Sequence, residues 1–347
     1  MSLFAEIKGI KYTPCLCREL RSYKIGELGN AINRDSSFLL EINKSNKIAL
    51  SWWVSAKRTR SYPYARVYDT LDFSGKKITI IPIFKDEGKD GDRDFLQWDT
   101  ISLMSLLGVY VIIGYYIGAE KSKRYTHKIT HQKFDIDFIK EKIKDILNYK
   151  SDALHWNLEQ IENIADIGGI AIKHYSAISK RTSVEMHSVN SAKKRITNLR
   201  KSREEFMNLS RELAEKAQKR EEHTIQPKEN ISGTKGSITI KNYLGGLYYF
   251  TVDEIEILGK DIHLIEAKHS RGQLPSLEDI KDGLIKMILF TNLETVIVNN
   301  KNYNPIAILK LTVENNFDRK NLSEGQSNTL ELLKKEAQTN GFEIRLS

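Results

Sequence analysis

Glu266 and Lys268 stand two residues apart in the apolar run HLIEAKHS, which spans 263 to 270. Successive side chains of a strand point to opposite faces, so this carboxylate and this ammonium share one face. Leu264 and Ile262 continue that face, while Ile265 and Ala267 take the other. The preceding apolar run ends near Leu258, and Gly259–Lys260 can form a two-residue hairpin turn. Such a turn places Asp253 across from Glu266, at the roughly 5 Å spacing of cross-strand neighbours. Two facing carboxylates repel, and a hard divalent cation with oxygen ligands satisfies both. Lys268 adds a positive charge that can position a water or stabilise charge developing on a phosphoryl group. The trio suits metal-dependent hydrolysis of a phosphodiester. The bland alternative is a solvent-facing Glu266–Lys268 pair on an edge strand, with Asp253 an ordinary hairpin residue.

The elements that must hold these groups are legible around them. SITI, GLYYFTVDEIEIL and DIHLIEAKHS read as three strands in quick succession. SLEDIKDGLIKMILFTNL reads as a helix with Ser276 as its N-cap and Asp279 in its first turn. ETVIVNN and PIAILKLTV follow as strands, and a last helix over 326–339 stops before Gly341. Upstream, 191–222 reads as one long amphipathic helix, with Ile196, Leu199, Phe206, Leu209 and Leu213 on one face. The segment 226–237 is a loop. From 191 onward the order is helix, three strands, helix, strand.

The stretch VDEIEILGKDIHLIEAKHS resembles the signature of the PD-(D/E)xK nuclease superfamily, in the manner of type II restriction endonucleases. Asp253 matches the first acid, Glu266 the second and Lys268 the lysine; the thirteen-residue interval and the order of elements also match. Val252 stands where the family's namesake proline would be. The resemblance covers roughly residues 191 to 310. It implies an α/β protein whose C-terminal, restriction-endonuclease-like core is a mixed central sheet flanked by helices. It also implies Mg²⁺ held by Asp253 and Glu266, with Mn²⁺ able to substitute. Cleavage of double-stranded DNA would then depend on Asp253, Glu266 and Lys268. Enzymes of this class often add an acid from the preceding helix. Glu205, Glu212 and Glu215 are available, and Glu212 is the choice, set against a solvated pair with Lys216. Ser270, Arg271 and Gln273 should sit near the scissile phosphate.

The 347 residues carry a net charge of +9, which points to an anionic partner, with nucleic acid first and an anionic membrane second. Lys193, Lys194 and Arg195 could line a phosphate-binding helix face. In WWVSAKRTRSYPYARVY, Lys57, Arg58, Arg60 and Arg66 interleave with aromatics, which suits backbone contacts and base-edge readout; the other reading is an aromatic core strand beside a charged loop. The segment 101–119 is long enough to suggest a membrane span. Its serines, glycines and tyrosines, and the lack of a partner span, instead predict a helix to Gly108 and a buried strand over 109–117. Cys15 and Cys17 read as reduced thiols, and no signal peptide begins the chain, so the expected location is cytoplasmic. YYIG, at 115 to 118, reads as core. His127 and His131 could bind zinc, but no third ligand is evident, and no P-loop is present.

These readings divide the chain into a mixed α/β N-terminal recognition or dimerisation region (1–150), a helical connector (151–190) and a nuclease domain (191–347). The expected activity is sequence-specific cleavage of double-stranded DNA by a homodimer, since one site cuts one strand and a twofold dimer matches a palindrome. The alternatives are a repair or recombination nuclease of the same superfamily, and a nucleic-acid-binding protein without catalysis.

Overall fold

The computed structural model describes residues 1–56, 61–194, 234–242, 246–314 and 317–347. The chain forms two compact units, Met1–Glu19 with Arg211–Ser347, and Leu20–Ser210. These bounds differ from the divisions expected at 150 and 190. The reason is β1 (Ser2–Ile7), which pairs in parallel with a strand far along the chain, Ser2 opposite Ser237.

After β1 the chain builds the contiguous unit. Its elements are β2 (Ser22–Lys24), α1 (Leu28–Arg34), β3 (Ser37–Glu41), β4 (Lys47–Trp52), α2 (Ser61–Tyr68), β5 (Lys77–Pro82), β6 (Phe84–Asp86) and β7 (Arg93–Phe95). Then come α3 (Trp98–Leu106), β8 (Val109–Gly114), β9 (Tyr116–Lys121), β10 (Ile129–Phe134), α4 (Ile136–Asn148), α5 (Ala153–Glu162) and α6 (Ile164–Thr182). Five strands form a sheet in the order β2-β3-β4-β5-β8, with β4, β5 and β8 parallel. The apolar stretch at 101–119 is the end of α3, a turn with Gly108 at φ +67°, and the strands β8 and β9. Among the described residues no helix is long and apolar enough to cross a membrane.

β8 lies at the edge of its sheet, where unpaired backbone groups invite aggregation. Helix α5 covers that edge with side chains. Asn157 accepts the Val111 N–H at 2.7 Å and donates to the Val109 carbonyl at 3.0 Å, and Trp156 donates to the Val111 carbonyl at 2.8 Å. The expected helical connector is present as two helices, with Asn163 at φ −91° and ψ 2° separating α5 from α6.

The discontinuous unit resumes with β11 (Thr234–Asn242), β12 (Leu247–Leu258), β13 (Asp261–Ser270), α7 (Leu277–Phe290), β14 (Val296–Val298), β15 (Lys301–Val313), α8 (Glu324–Asn340) and β16 (Glu343–Leu346). β11, β12 and β13 form an antiparallel meander, and β15 runs parallel to β13 after the α7 crossover. The mixed central sheet expected from the sequence is therefore present, with β13 inside it. Its closure is an addition. β1 joins β11 to β14, and β14 forms a hairpin with β15, so six strands close into a ring. Ser276 caps α7 as expected, accepting the Asp279 N–H, and α8 ends at Gly341 in the left-handed region.

The segment after β1 is tied to α8 by the paired Thr13–Asn340 hydrogen bonds and by a buried carboxylate. Glu336 accepts from the Tyr12 hydroxyl at 2.7 Å and from the N–H groups of Cys15 and Leu16 at 2.8 and 3.1 Å. Truncation to alanine would strand these donors, and an unsatisfied buried polar group costs about 1–3 kcal/mol. Glu336→Ala should therefore lower the unfolding free energy in urea by about 2–4 kcal/mol, with Glu336→Gln well below that. An unchanged midpoint for the alanine variant would mean the Glu336 contacts contribute nothing.

Candidate active site

β13 owes its burial to its neighbours: β12 pairs it on one side and β15 along its whole length on the other. The β12–β13 register is the one expected from the turn, with Glu254 opposite Ile265 and Leu258 opposite Asp261. Gly259 makes that turn possible at φ +65°. Beyond Glu254 the side chain of Asp253 takes over from the backbone ladder, accepting the Ala267 N–H at 2.8 Å. Alternation then sorts the acids of β12. Glu254 and Glu256 fall on the opposite face, where Glu254 pairs with Lys310 at 2.6 Å and Glu256 with Arg345 at 3.0 Å and His263 at 3.1 Å. Asp253 falls on the face of Glu266 and Lys268.

Glu266 is only 1% exposed, and both its oxygens are taken. Oε1 lies 2.8 Å from Lys268 Nζ and Oε2 lies 2.5 Å from Lys286 Nζ. Lys268 also reaches Asp282 at 2.7 Å, and Lys286 donates to the Thr251 carbonyl at 2.9 Å. Asp282 and Lys286 come from α7, and the sequence reading missed both. Their signal was an acid and a base four residues apart in the apolar C-terminal part of the helix, a spacing that puts them on one face. Gly283, between them, permits the close approach: a Cβ there would lie 2.7 Å from Leu309 Cδ1 and 3.3 Å from Lys268 Cε.

The charges shape one another. Burial first, and then the neighbouring Glu266 charge, push Asp253 up to about 7. Burial alone would raise Glu266, but the Lys268 and Lys286 ammoniums outweigh it and hold that carboxyl down at about 2. For both lysines burial opposes the charge, yet the surrounding carboxylates win and hold their values above the usual lysine range.

These shifts predict stability against pH in chelator. Between about pH 4 and 7 folded Asp253 holds a proton that the unfolded chain has released, so stability falls as pH rises through that window. Glu266 acts oppositely: its contribution is complete above about 4.5 and is lost as pH falls toward 2. Urea unfolding of wild type and Asp253→Asn at several pH values in EDTA isolates the first effect. The variant should lack the decline between pH 4 and 7, and parallel curves would remove Asp253 as its source.

The donor set fits a hard cation. A carboxylate oxygen of Glu266 and the Thr251 carbonyl converge on the Lys286 ammonium, and the Asp253 charge acts on the same group. All these donors are oxygens, as Mg²⁺ and Mn²⁺ prefer. His131 lies 3.7 Å from Glu120 on the exposed surface, and among the described residues no group of three His, Cys, Asp or Glu side chains gathers to hold a metal.

The remaining sequence candidates are dispersed. Ser270, the last residue of β13, accepts the Gly272 N–H at 3.0 Å; just past the strand, Arg271 is exposed and Gln273 accepts the Asp318 N–H at 3.1 Å. Arg66 lies in α2, where its guanidinium stacks 4.5 Å from the Trp52 ring centroid and donates to the Trp52 carbonyl at 2.8 Å. Lys193 and Lys194 are exposed in a short helical stretch at 189–194. Lys57, Arg58, Arg60, Arg195 and Glu212 lie outside the described residues, as does most of the helix expected over 191–222. No protein family, curated protein or solved structure matches this chain.

Proposed function

We propose that the protein is a Mg²⁺-dependent endonuclease that hydrolyses phosphodiester bonds of double-stranded DNA at specific sequences, in the role of a type II restriction enzyme. One observation carries this reading: Asp253, Glu266 and Lys268 converge on one buried face at the centre of a mixed sheet. The succession β11-β12-β13-α7-β15 supports a restriction-endonuclease-like core, to which β1 and β14 are additions. Asp253 and Glu266, with the Thr251 carbonyl, are the groups that would hold the metal. Bound there, Mg²⁺ supplies Lewis acidity toward a phosphoryl oxygen and a more acidic water. Asp253 gives up its proton to serve as a ligand. Lys268, fixed between Glu266 and Asp282, presents a positive charge to the negative charge that builds on the phosphoryl group. The net charge of +9 supports an anionic polymer as substrate, and cutting both strands of a palindrome calls for a homodimer.

A second reading has one observation in its favour. Both oxygens of Glu266 already have lysine partners, as in an ion-pair cluster that only holds a fold together. The chain would then bind nucleic acid without cutting it. Incubation with unmethylated phage DNA separates the two. Discrete fragments with Mg²⁺ or Mn²⁺ and none in EDTA are expected. Intact DNA under every metal condition, with DNA binding retained, would favour the second reading.

A further inference from the structure

We infer that Lys286 is a built-in competitor for the divalent cation: its ammonium holds the cation position in the metal-free protein and withdraws when metal binds. This rests on the metal-site reading of Asp253 and Glu266 given above. The two lysines are not equivalent. Lys268 has a second carboxylate anchor, Asp282 at 2.7 Å, which it keeps when Glu266 turns to another cation. Among the described residues Lys286 hydrogen-bonds only Glu266 Oε2 at 2.5 Å and the Thr251 carbonyl at 2.9 Å, with the Asp253 charge nearby, and these are oxygens a metal would use. An ammonium and a hard divalent ion cannot share them. The site therefore does not stand open: a cation of the protein's own sits against these oxygens and balances the Glu266 carboxylate.

Withdrawal is feasible. The backbone of α7 is fixed by buried Leu284, Ile285, Met287 and Ile288, so the helix need not move. The Lys286 side chain remains 16% exposed, and its four-carbon stem can swing the ammonium toward solvent. Metal binding is thus an exchange, weakened by the lysine it displaces. The same lysine maintains the empty site.

Calorimetric titration with Mn²⁺, without DNA, tests the exchange on wild type, Lys286→Met and Lys268→Met. Lys286→Met should bind Mn²⁺ at least tenfold more tightly than wild type, and Lys268→Met should not. In EDTA the Lys286→Met protein should melt at a lower temperature than wild type, and Mn²⁺ should recover more than it recovers for wild type. Equal or weaker Mn²⁺ binding by Lys286→Met overturns the inference. If wild type nonetheless cuts DNA with Mg²⁺, the nuclease reading stands without it. No Mn²⁺ binding by any of the three proteins overturns both. A measurement independent of variant stability uses wild type carrying ¹⁵N-labelled lysine side chains, with the Lys286 ammonium signal assigned through Lys286→Arg. Mg²⁺ should abolish the solvent protection of that signal and spare that of Lys268. Retained protection at saturating Mg²⁺ overturns the inference.

Discussion

Glu266→Ala should lower the unfolding free energy by about 3–5 kcal/mol, the usual cost of removing one partner from a buried ion pair. The carboxylate stands between two ammoniums, at 2.8 Å from Lys268 and 2.5 Å from Lys286, and is itself almost inaccessible. Alanine would leave both lysines facing each other across a cavity. Asp282 would still hold Lys268, but Lys286 would keep only a backbone carbonyl and Asp253. Glu266→Gln keeps the shape and one acceptor oxygen, so it should lose less stability and still lose cleavage. Urea unfolding in EDTA, run beside a plasmid-cutting assay, reads both effects. An alanine variant as stable as wild type would mean the lysines do not depend on Glu266. A glutamine variant cutting at the wild-type rate would remove Glu266 from the chemistry.

Lys268→Ala should slow DNA cleavage by about 10²–10³-fold, the range seen when one preorganised stabilising group is removed from an active site. On the proposed nuclease reading, affinity for DNA should change little, because Lys268 is mostly buried and its ammonium is already held by Glu266 and Asp282. The orientation of Lys268 depends on Asp282, so Asp282→Asn should give a smaller loss of rate through a less well-held ammonium. Arginine should not substitute. The lysine stem runs beside Gly283, where α7 approaches too closely for even one added carbon at position 283 to go unfelt. A planar guanidinium also cannot reproduce a compact charge held between two carboxylates. Single-turnover cutting rates and DNA affinity at fixed salt test this together. Equal losses in both would make Lys268 a DNA-binding residue, and unchanged cutting would make it a structural ion-pair partner.

The β12–β13 hairpin was legible because its determinants are local. A glycine turn sets the register, and alternation then assigns each side chain to a face. That logic placed Asp253, Glu266 and Lys268 together before any coordinates. Lys286 and Asp282 escaped it because charges on a helix usually mark its solvated face, and only the packing of α7 onto β13 and β15 shows that this pair points inward. Arg66 has a partnership that its place among aromatics did not specify: its guanidinium stacks on Trp52 and donates to that residue's carbonyl. The partnership of β1 with β11 had no local signal at all. Parallel pairing between distant segments leaves no turn and no spacing to read.

That pairing also sets an order of assembly on the ribosome. The Met1 amino group donates to the carbonyl of Lys235, 234 residues along the chain. At typical elongation rates, roughly ten to fifty seconds separate the emergence of β1 from that of β11. The contiguous unit, Leu20–Ser210, is complete in the meantime and is free to fold first. β1 must wait through that interval as an unpaired apolar strand, and the closure of so long a loop makes its docking slow. The strands that carry Asp253, Glu266 and Lys268 emerge later still. A stalled or truncated nascent chain can present a folded inserted unit, but the ring that supports the charged face closes only after β15 has been made.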